Sequence, residues 1–364
     1  MLFSVVVPVF NRPDEVDELL ESLTKQTLSD FEVIIVEDGS KVPCKEICSR
    51  YDSKLNIKYF EKENSGPGQS RNFGAERASG DFLLILDSDV VLPETYMQAV
   101  SDSLKQEKDT DAFGGPDTAH PSFTPTQKAI SYSMTSFFTT GGIRGGKKKL
   151  DKFYPRSFNM GIKKEVYKQL GGFSKMRFGE DIDFSIRIIK AGYKCRLFTE
   201  AWVCHKRRTD FRKFYRQVYN SGIARINLYK KYPDSLKAVH LLPMFFTIGV
   251  GTCLMAALLG ILLLLVGIST SVQTEEYTCP SGPFAAITAG CLLTIISLSP
   301  LIFYSLIILI DSSIRNKSLK VGFLSIPAAF VQLTGYGMGF INAWWRRCVR
   351  GKDEFSAFDK TFYK

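Results

Sequence analysis

The sequence predicts an α/β domain with a Rossmann-like, mostly parallel sheet, followed by C-terminal transmembrane helices. Within residues 1–237, short β-branched runs alternate with stretches whose apolar residues have helical spacing, a pattern typical of parallel sheets with helices on both faces. From Ala238 onward, uncharged apolar runs appear that are long enough to cross a bilayer. The 364 residues therefore divide into an N-terminal domain and a membrane region.

The strands and helices of the domain are predicted in chain order. "FSVVVPVF", "FEVIIVEDGS", "NIKYFEKE" and "DFLLILDSD" are predicted strands. "PDEVDELLESLTKQ" carries Val16, Leu19, Leu20 and Leu23 at helical spacing, and "GQSRNFGAERASG" is a second predicted helix.

Acidic residues follow two of these strands. Glu37 and Asp38 end the second strand, and Asp87 and Asp89 end "FLLIL". Because ligands of open α/β sheets bind at the carboxyl ends of the strands, we expect these tips to meet in one crevice. For "LDSD" alone, a solvated turn is the alternative, since Asp is a common turn residue.

The spacing of Asp87 and Asp89 indicates a cation. Two like charges beside a buried strand are costly unless a cation neutralises them. Oxygen ligands suit Mg²⁺ or Mn²⁺, which commonly join protein carboxylates to substrate phosphates. We therefore predict a divalent ion that holds a diphosphate leaving group.

A second acidic pair, Glu180 and Asp181, precedes a run with Ile182, Ile186 and Ile189 at helical spacing, so a helix is expected to begin near Glu180. Acids at a helix N-terminus also have a structural explanation, because they complement the helix dipole.

In five segments the sequence resembles the family 2 glycosyltransferases, which have a nucleotide-diphospho-sugar-binding fold of the glycosyltransferase A type. The segments, in family order over residues 3 to about 225, are "VVVPVFNR", "VIIVEDGS", "NSGPGQSRNFGAERASGDFLLILDSD", "FNMGIKKEVYKQLGGF" and "GEDIDFSIRIIKAGY". The resemblance implies an inverting transfer of a sugar from a nucleotide-diphospho-sugar donor, with Mg²⁺ or Mn²⁺ as cofactor.

The resemblance also implies roles for single residues. Pro8 and Phe10 would line the base site, and Asp38 would accept a hydrogen bond from the base. The residues expected to bind the rest of the nucleotide are Gly68, Arg71, Asn72 and, beside the ribose, Asp87.

Asp89 would bind the metal, and His205 would complete its site, although a lone histidine after a strand is more often structural or exposed. Asp181 would be the general base that takes the proton of the acceptor hydroxyl, with Glu180 as its neighbour at the acceptor.

Membrane topology is predicted from apolar runs and from Lys and Arg. Spans are expected at about 241–268 and 284–310, and the loop between them has no Lys or Arg, whereas both outer flanks are basic. The positive-inside tendency places a glycosyltransferase domain, residues 1–206, in the cytoplasm of a plasma (inner) membrane protein. A third apolar segment, residues 321–345, is expected to be re-entrant or interfacial, with a true third span as the alternative.

Basic segments flank the spans. Residues 207–237 are expected to form a basic amphipathic interface helix, or an ordinary surface helix, and residues 346–364 a basic tail. The net charge of +10 indicates an anionic cytoplasmic leaflet as partner rather than nucleic acid. The Gly- and Lys-rich segment 141–153 is either a solvated loop or an acceptor lid.

A single-addition transferase acting on a lipid-linked or glycan acceptor in cell-surface polysaccharide or glycolipid assembly is the function that these features favour. The Gln-x-x-Arg-Trp motif of processive synthases of the family does not follow the "ED" helix. Three alternatives stay open: a polyprenyl-phosphate acceptor, a non-catalytic membrane scaffold on a degenerate transferase domain, and a nucleotidyltransferase.

Overall fold

The computed structural model describes residues 2–118, 120, 122–141, 153–273 and 281–358. Its strands are β1 Phe3–Val9, β2 Phe31–Asp38, β3 Asn56–Lys62, β4 Phe82–Leu86, β5 Val90–Val91, β6 Ala112–Gly114, β7 Asp117–Thr118, β8 Asn159–Lys163, β9 Cys195–Leu197 and β10 Val203–His205. Its α-helices are α1 Pro13–Thr24, α2 Lys45–Ser49, α3 Pro67–Arg77, α4 Tyr96–Gln106, α5 Pro125–Thr135, α6 Phe137–Thr140, α7 Lys164–Gln169, α8 Glu180–Lys190, α9 Phe211–Lys231, α10 Leu242–Gln273, α11 Ser281–Asn316 and α12 Leu319–Trp344.

Two compact units divide the chain. The first consists of Met1–Phe123 and Gly145–Arg207, and the second of Thr124–Arg144 and Arg208–Lys364. The segment with α5 and α6 belongs to the second unit, and the domain bounds 1–206 stay a prediction. Residues 142–152 of the Gly- and Lys-rich segment, predicted as a solvated loop or an acceptor lid, lie outside the described residues.

A seven-stranded sheet in the order β3-β2-β1-β4-β8-β6-β9 forms the centre of the first unit. The strands β3, β2, β1 and β4 run parallel, β8 runs antiparallel to both of its neighbours, and β9 is parallel to β6. A smaller sheet has the order β5-β10-β7. The prediction of a mostly parallel α/β sheet is confirmed.

Helices cover both faces of the large sheet, which is why its central strands are apolar throughout. The five residues of β4 are all buried, as expected for a parallel strand between two layers. Leu19 and Leu20 of α1 pack on one face, and Ala75 of α3 and Phe184 of α8 on the other. Gly74 lets α3 approach the sheet closely, because a Cβ there would lie 2.6 Å from Cγ1 of Val6.

Among its described residues, the second unit contains three helices that are long and apolar enough to cross a membrane: Ala238–Val272, Gly282–Asn316 and Leu319–Val349. The first two contain the predicted spans 241–268 and 284–310. The third, predicted as re-entrant or interfacial, forms one continuous α-helix, α12, with Pro327 inside it, and a single π-helical turn follows.

Candidate functional site

The acidic tips of the first unit lie on one edge of the large sheet. The strand β1 has β2 on one side and β4 on the other, and all three are parallel. The chain proceeds outward from β1 through β2 to β3 and then returns to the other side with β4. A crevice is expected where the strand order reverses in this way, and both Asp87 and Asp89 follow β4 directly.

Asp87, Asp89 and His205 form a cluster in which one ligand atom of each residue lies within 4.8 Å of the others. The small sheet brings the histidine to the acids, because β10 pairs with β5 and sets His205 opposite Val90. Nε2 of His205 lies 3.2 Å from Oδ1 of Asp89, and Phe158 stacks on the imidazole ring with centroids 4.9 Å apart. Two carboxylates and one imidazole are a donor set that fits Mn²⁺ or Mg²⁺.

Arg12 places a positive charge beside the cluster of Asp87, Asp89 and His205, through its pairing with Asp89. Its Nη1 donates to Oδ2 of Asp89 at 2.5 Å. The preceding Asn11 adopts φ 53°, a left-handed conformation that Asn tolerates, and its Oδ1 accepts the backbone N–H of Lys41 at 2.7 Å. The loop after β1 is thereby fixed against the loop after β2. Sequence reasoning did not identify Arg12, although it follows the quoted strand in "VFNR".

Arg71 joins the two acidic clusters from inside the domain. Its side chain is 4% exposed, and Nη2 donates to Oδ1 of Asp87 at 2.7 Å while Nη1 donates to Oε1 of Glu180 at 3.0 Å. The guanidinium also lies over the ring of Phe173, 5.2 Å from its centroid. Arg71 was predicted as a nucleotide residue, which stays a prediction, and its observed contacts connect Asp87 to the "ED" pair.

The "ED" pair begins α8, as predicted, after Gly179 with φ 84°. Burial raises the pKa of Glu180 to about 7, and the charge of Asp181 adds to this effect, while Arg71 opposes it. Burial also acts to raise the pKa of Asp181. The charge and hydrogen bond of Arg156, together with the N–H of Ile182 and the charge of Arg71, outweigh burial, so the pKa lies below its ordinary value. Nε of Arg156 donates to Oδ2 of Asp181 at 2.6 Å.

Asp38 is 3% exposed and already has partners within the chain. Its carboxylate is paired with Lys62 and accepts the backbone N–H groups of Ser65 and Gly66, each at 2.9 Å. These bonds fix the loop that leads into α3. The predicted hydrogen bond from a nucleotide base to Asp38 stays a prediction.

Asn72 likewise makes its hydrogen bonds within the chain. Nδ2 donates to the carbonyl of Phe173 at 2.8 Å, and Oδ1 accepts the N–H of Phe173 at 2.8 Å and the hydroxyl of Tyr167 at 2.6 Å. Gly68 lies against the same segment, since a Cβ there would be 3.3 Å from Cβ of Phe173. Both residues therefore position the chain before α8, and their predicted nucleotide contacts stay predictions.

Pro8 and Phe10 lie at the carboxyl end of β1 and are half-buried. Pro8 is opposite Val36 in the parallel register with β2. The structure thus places both residues at the predicted crevice edge, and their role at the base of a nucleotide remains a prediction.

Comparison with known proteins relates this domain to transferases. An uncharacterized glycosyltransferase of Haemophilus influenzae is 31% identical over 196 residues, which cover 52% of this chain and 62% of that relative. The poly(ribitol-phosphate) beta-N-acetylglucosaminyltransferase TarS of Staphylococcus aureus is 42% identical over 93 residues, or 24% of this chain and 16% of TarS. The chain thus spans less than two thirds of the length of either relative.

Among solved structures, the mannosyltransferase PcManGT of Pyrobaculum calidifontis, in complex with GDP-Man and Mn²⁺, has a TM-score of 0.53 and 17% identity over 80% of this chain and 86% of its own. This likeness supports the fold. The model of the family described as glycosyl transferase family 2 matches residues 4–171, which include β1 to α3 and the Asp87–Asp89 tip. Over these residues the chain is therefore similar to glycosyl transferase family 2.

Proposed function

We propose that the protein is a membrane-anchored, metal-dependent, inverting glycosyltransferase. It adds a single sugar from a nucleotide-diphospho-sugar to a lipid-linked or glycan acceptor. The observation that carries the proposal is the cluster of Asp87, Asp89 and His205 within 4.8 Å, on the edge of a domain similar to glycosyl transferase family 2, with Arg71 joining it to the Glu180–Asp181 helix start.

On this proposal the donor binds at the carboxyl ends of β1, β2 and β4. Asp89 and His205 hold the divalent ion, and Asp87 lies beside the ribose. The ion would neutralise the diphosphate as it leaves. Arg12 already neutralises Asp89 and is close enough to the ion site to approach a phosphate oxygen.

Asp181 is the proposed general base. Its lowered pKa keeps it ionised at neutral pH, so it is ready to accept the proton of the acceptor hydroxyl as that oxygen attacks the anomeric carbon. Direct attack assisted by one base inverts the configuration at that carbon. Glu180 is the second candidate, because a carboxylate whose pKa is about 7 is better matched to proton transfer at neutral pH.

The membrane helices favour an acceptor that shares the membrane with the enzyme. A lipid-linked sugar meets this condition, and a polyprenyl phosphate is the alternative within the same class. The basic flanks of α10 and α11 favour a cytoplasmic catalytic domain at the plasma (inner) membrane, next to an anionic leaflet. Assembly of a cell-surface polysaccharide or glycolipid is the process that this location suits.

Two other classes make different predictions. A degenerate scaffold would not need Asp89 and His205 to be brought together, yet the small sheet sets them 3.2 Å apart. A nucleotidyltransferase would be expected to have a Gly-rich loop with Lys or Arg after its first strand, and "VFNRPDE" is not such a loop.

The test is calorimetric titration of the full chain with nucleotide-sugars, with and without Mn²⁺. UDP-GlcNAc and GDP-Man are the first probes, because PcManGT is described with GDP-Man and TarS is named for N-acetylglucosamine transfer. Metal-dependent binding of one donor, lost in Asp89→Asn and kept in Asp102→Asn, supports the proposal. Failure of folded protein to bind any donor in a full panel would move the assignment to a scaffold.

A further inference from the structure

The helices α10 and α11 form an antiparallel pair whose register is fixed by glycines. Gly260 faces the carbonyl of Gly290 and the backbone N–H of Thr294, and Gly267 faces Pro283 and Ile287. Pro243 precedes Gly260 by 17 residues along α10, and Leu309 follows residues 290–294 of α11 by about the same number. Because the two helices are antiparallel, Pro243 and Leu309 lie at the same height, meaning the same position along the axis of the helix pair.

The helix α12 contacts this pair at two points of nearly equal height. Gly322 lies against the carbonyl of Leu309 and the side chain of Ser313, and Gly337 lies against the carbonyl of Pro243 and the side chain of Thr247. The two glycines are about 22 Å apart along α12, whereas their contact points differ in height by only about 6 Å, at 1.5 Å per residue.

The middle of α12 confirms that it crosses the pair. The ring of Phe330 lies 5.7 Å from that of Tyr304 on α11 and 5.6 Å from that of Phe246 on α10. Near its N-terminus, the hydroxyl of Ser325 is hydrogen-bonded to that of Ser312 at 2.6 Å. The helix therefore runs from the C-terminal end of α11 to the N-terminal end of α10, across the helix axes rather than along them.

The partner of α12 on its other side is a charged helix. Gly222 of α9 lies against the carbonyl of Tyr336, and Gly339 lies against the carbonyl of Tyr219. The basic residues of α9 are Arg212, Lys213, Arg216, Arg225, Lys230 and Lys231. If α12 crossed the bilayer, α9 would enter the hydrocarbon with it, at a cost of about 2.5 kcal/mol or more for each charge near the centre.

The chain after α12 also returns to α9. Nη1 of Arg347 donates to Oδ1 of Asn227 at 2.9 Å. Nδ2 of Asn220 donates to the carbonyl of Ala357 at 2.9 Å, and the N–H of Ala357 donates back to Oδ1 of Asn220 at 2.8 Å. Residues 347–358 therefore lie along the helix that precedes the first span.

We propose that α12 lies in the plane of the membrane interface, at the end where α10 enters the bilayer and α11 leaves it. The chain then crosses the membrane twice, and its C-terminal segment lies on the same side as α9. The exposed apolar side chains of α12 and the turn after it face the acyl chains; they are Leu319, Phe323, Met338, Trp344, Trp345 and Val349. The basic residues that follow suit an anionic headgroup layer.

Depth measurement tests this placement directly. Nitroxide labels on Phe323→Cys and Thr334→Cys, near the end and the middle of α12, in a cysteine-free full chain, are compared by oxygen and nickel-chelate accessibility in vesicles of phosphatidylcholine and phosphatidylglycerol. We expect both labels at similar, shallow depths of about 5–10 Å below the headgroups. The matched pair Leu265→Cys and Leu254→Cys, near the end and the middle of the first span, has the same spacing and should differ in depth by up to about 16 Å. Equal behaviour of the two pairs would overturn the proposal.

Sidedness gives a second, independent measurement that does not depend on labels within α12. Glu354→Cys is expected to react with a membrane-impermeant maleimide from the same side as Glu76→Cys in the first unit. Glu276→Cys, in the sequence between α10 and α11, should react from the other side. A third span is established instead if Glu354→Cys reacts together with Glu276→Cys. Because these tests use labelling alone, they stand whether or not the transferase activity is demonstrated.

Discussion

Nε of Arg156 lies 2.6 Å from Oδ2 of Asp181, so the carboxylate assigned as general base is paired with a cation. Burial alone would raise the pKa of Asp181, and Arg156 is the main reason that it is lowered instead. Asp181 therefore stays ionised to lower pH than an ordinary carboxyl group with the same burial. The pairing keeps the base deprotonated, although it also makes the base weaker.

Removing this cation should move the pH dependence of the reaction. In Arg156→Gln the pKa of Asp181 rises, and the acid limb of kcat/KM against pH shifts upward, so activity is lost first on the acidic side of neutrality. The profile of kcat/KM checks this. Arg50→Gln, which removes an exposed guanidinium paired with Asp17 at 3.3 Å, is the matched control. An acid limb that stays in place in Arg156→Gln would argue against Asp181 and for Glu180.

Metal binding should depend on Asp89 more than on other carboxylates. Asp89→Asn removes the charge that faces His205 at 3.2 Å, and we expect Mn²⁺ affinity to fall by at least about tenfold. Electron paramagnetic resonance of free Mn²⁺ measures this without donor or acceptor. Asp102→Asn on α4, an exposed carboxylate beside Lys105, should bind Mn²⁺ as the unmodified protein does. Unchanged binding in Asp89→Asn would remove the metal assignment.

Arg12 should oppose Mn²⁺ in the absence of a donor. Its guanidinium occupies Oδ2 of Asp89, so a metal ion has to displace it and is also repelled by it. Arg12→Gln should therefore bind Mn²⁺ alone more tightly, by about tenfold for each 1.4 kcal/mol of relieved competition. The same resonance titration measures the change in Mn²⁺ affinity. The control is Lys25→Gln, which removes a cation from an exposed ion pair with Glu21. Weaker binding in Arg12→Gln would mean that Arg12 supports the site instead.

The sequence predicted the features that depend on local pattern. The apolar runs located β1, β2 and β4, and their acidic ends indicated the site because parallel strands share one carboxyl edge. The helix start at Glu180 followed from periodicity. The family resemblance suggested His205, which the structure places beside Asp89.

What the sequence did not indicate depends on contacts between distant segments. Arg156 belongs to no pattern, and only the fold brings it to Asp181. The same holds for Arg12 and Asp89, which are far apart in the chain. Hydropathy likewise predicts the length of α12. It does not predict that α12 runs across α10 and α11 rather than along them, because this direction depends on the contacts of Gly322 and Gly337.

Acid should destabilise the first unit through Glu32. This residue of β2 is 2% exposed. Although burial acts to raise its pKa, hydrogen bonds from Lys58, Ser4 and the N–H of Ser79 lower it to about 2. Because the folded pKa lies below the unfolded value of about 4.3, the stabilisation is complete above about pH 5 and is lost as the pH falls toward 2.

Ionised Glu32 is expected to add on the order of 3 kcal/mol to the free energy of unfolding at pH 7. This pH-dependent contribution should be absent from Glu32→Gln. Urea unfolding at several pH values measures it, with the fluorescence of Trp202 as the signal in a Trp344→Phe, Trp345→Phe background. Glu21→Gln, an exposed partner of Lys25, is the control. A difference between Glu32→Gln and the unmodified protein that stays constant from pH 7 to pH 2 would contradict the linkage.

Arg71 should matter for stability as well as for catalysis, because it is buried between Asp87 and Glu180. Arg71→Met keeps most of the side-chain volume but leaves Glu180 without its cation, at a cost of about 3–5 kcal/mol. The second variant Arg71→Met, Glu180→Gln removes the stranded charge and should recover much of that loss. Trp202 fluorescence during urea unfolding compares both with Arg77→Met, whose guanidinium is more exposed. If the double variant were no more stable than Arg71→Met, the bridge to Glu180 would not be what holds α8 against α3.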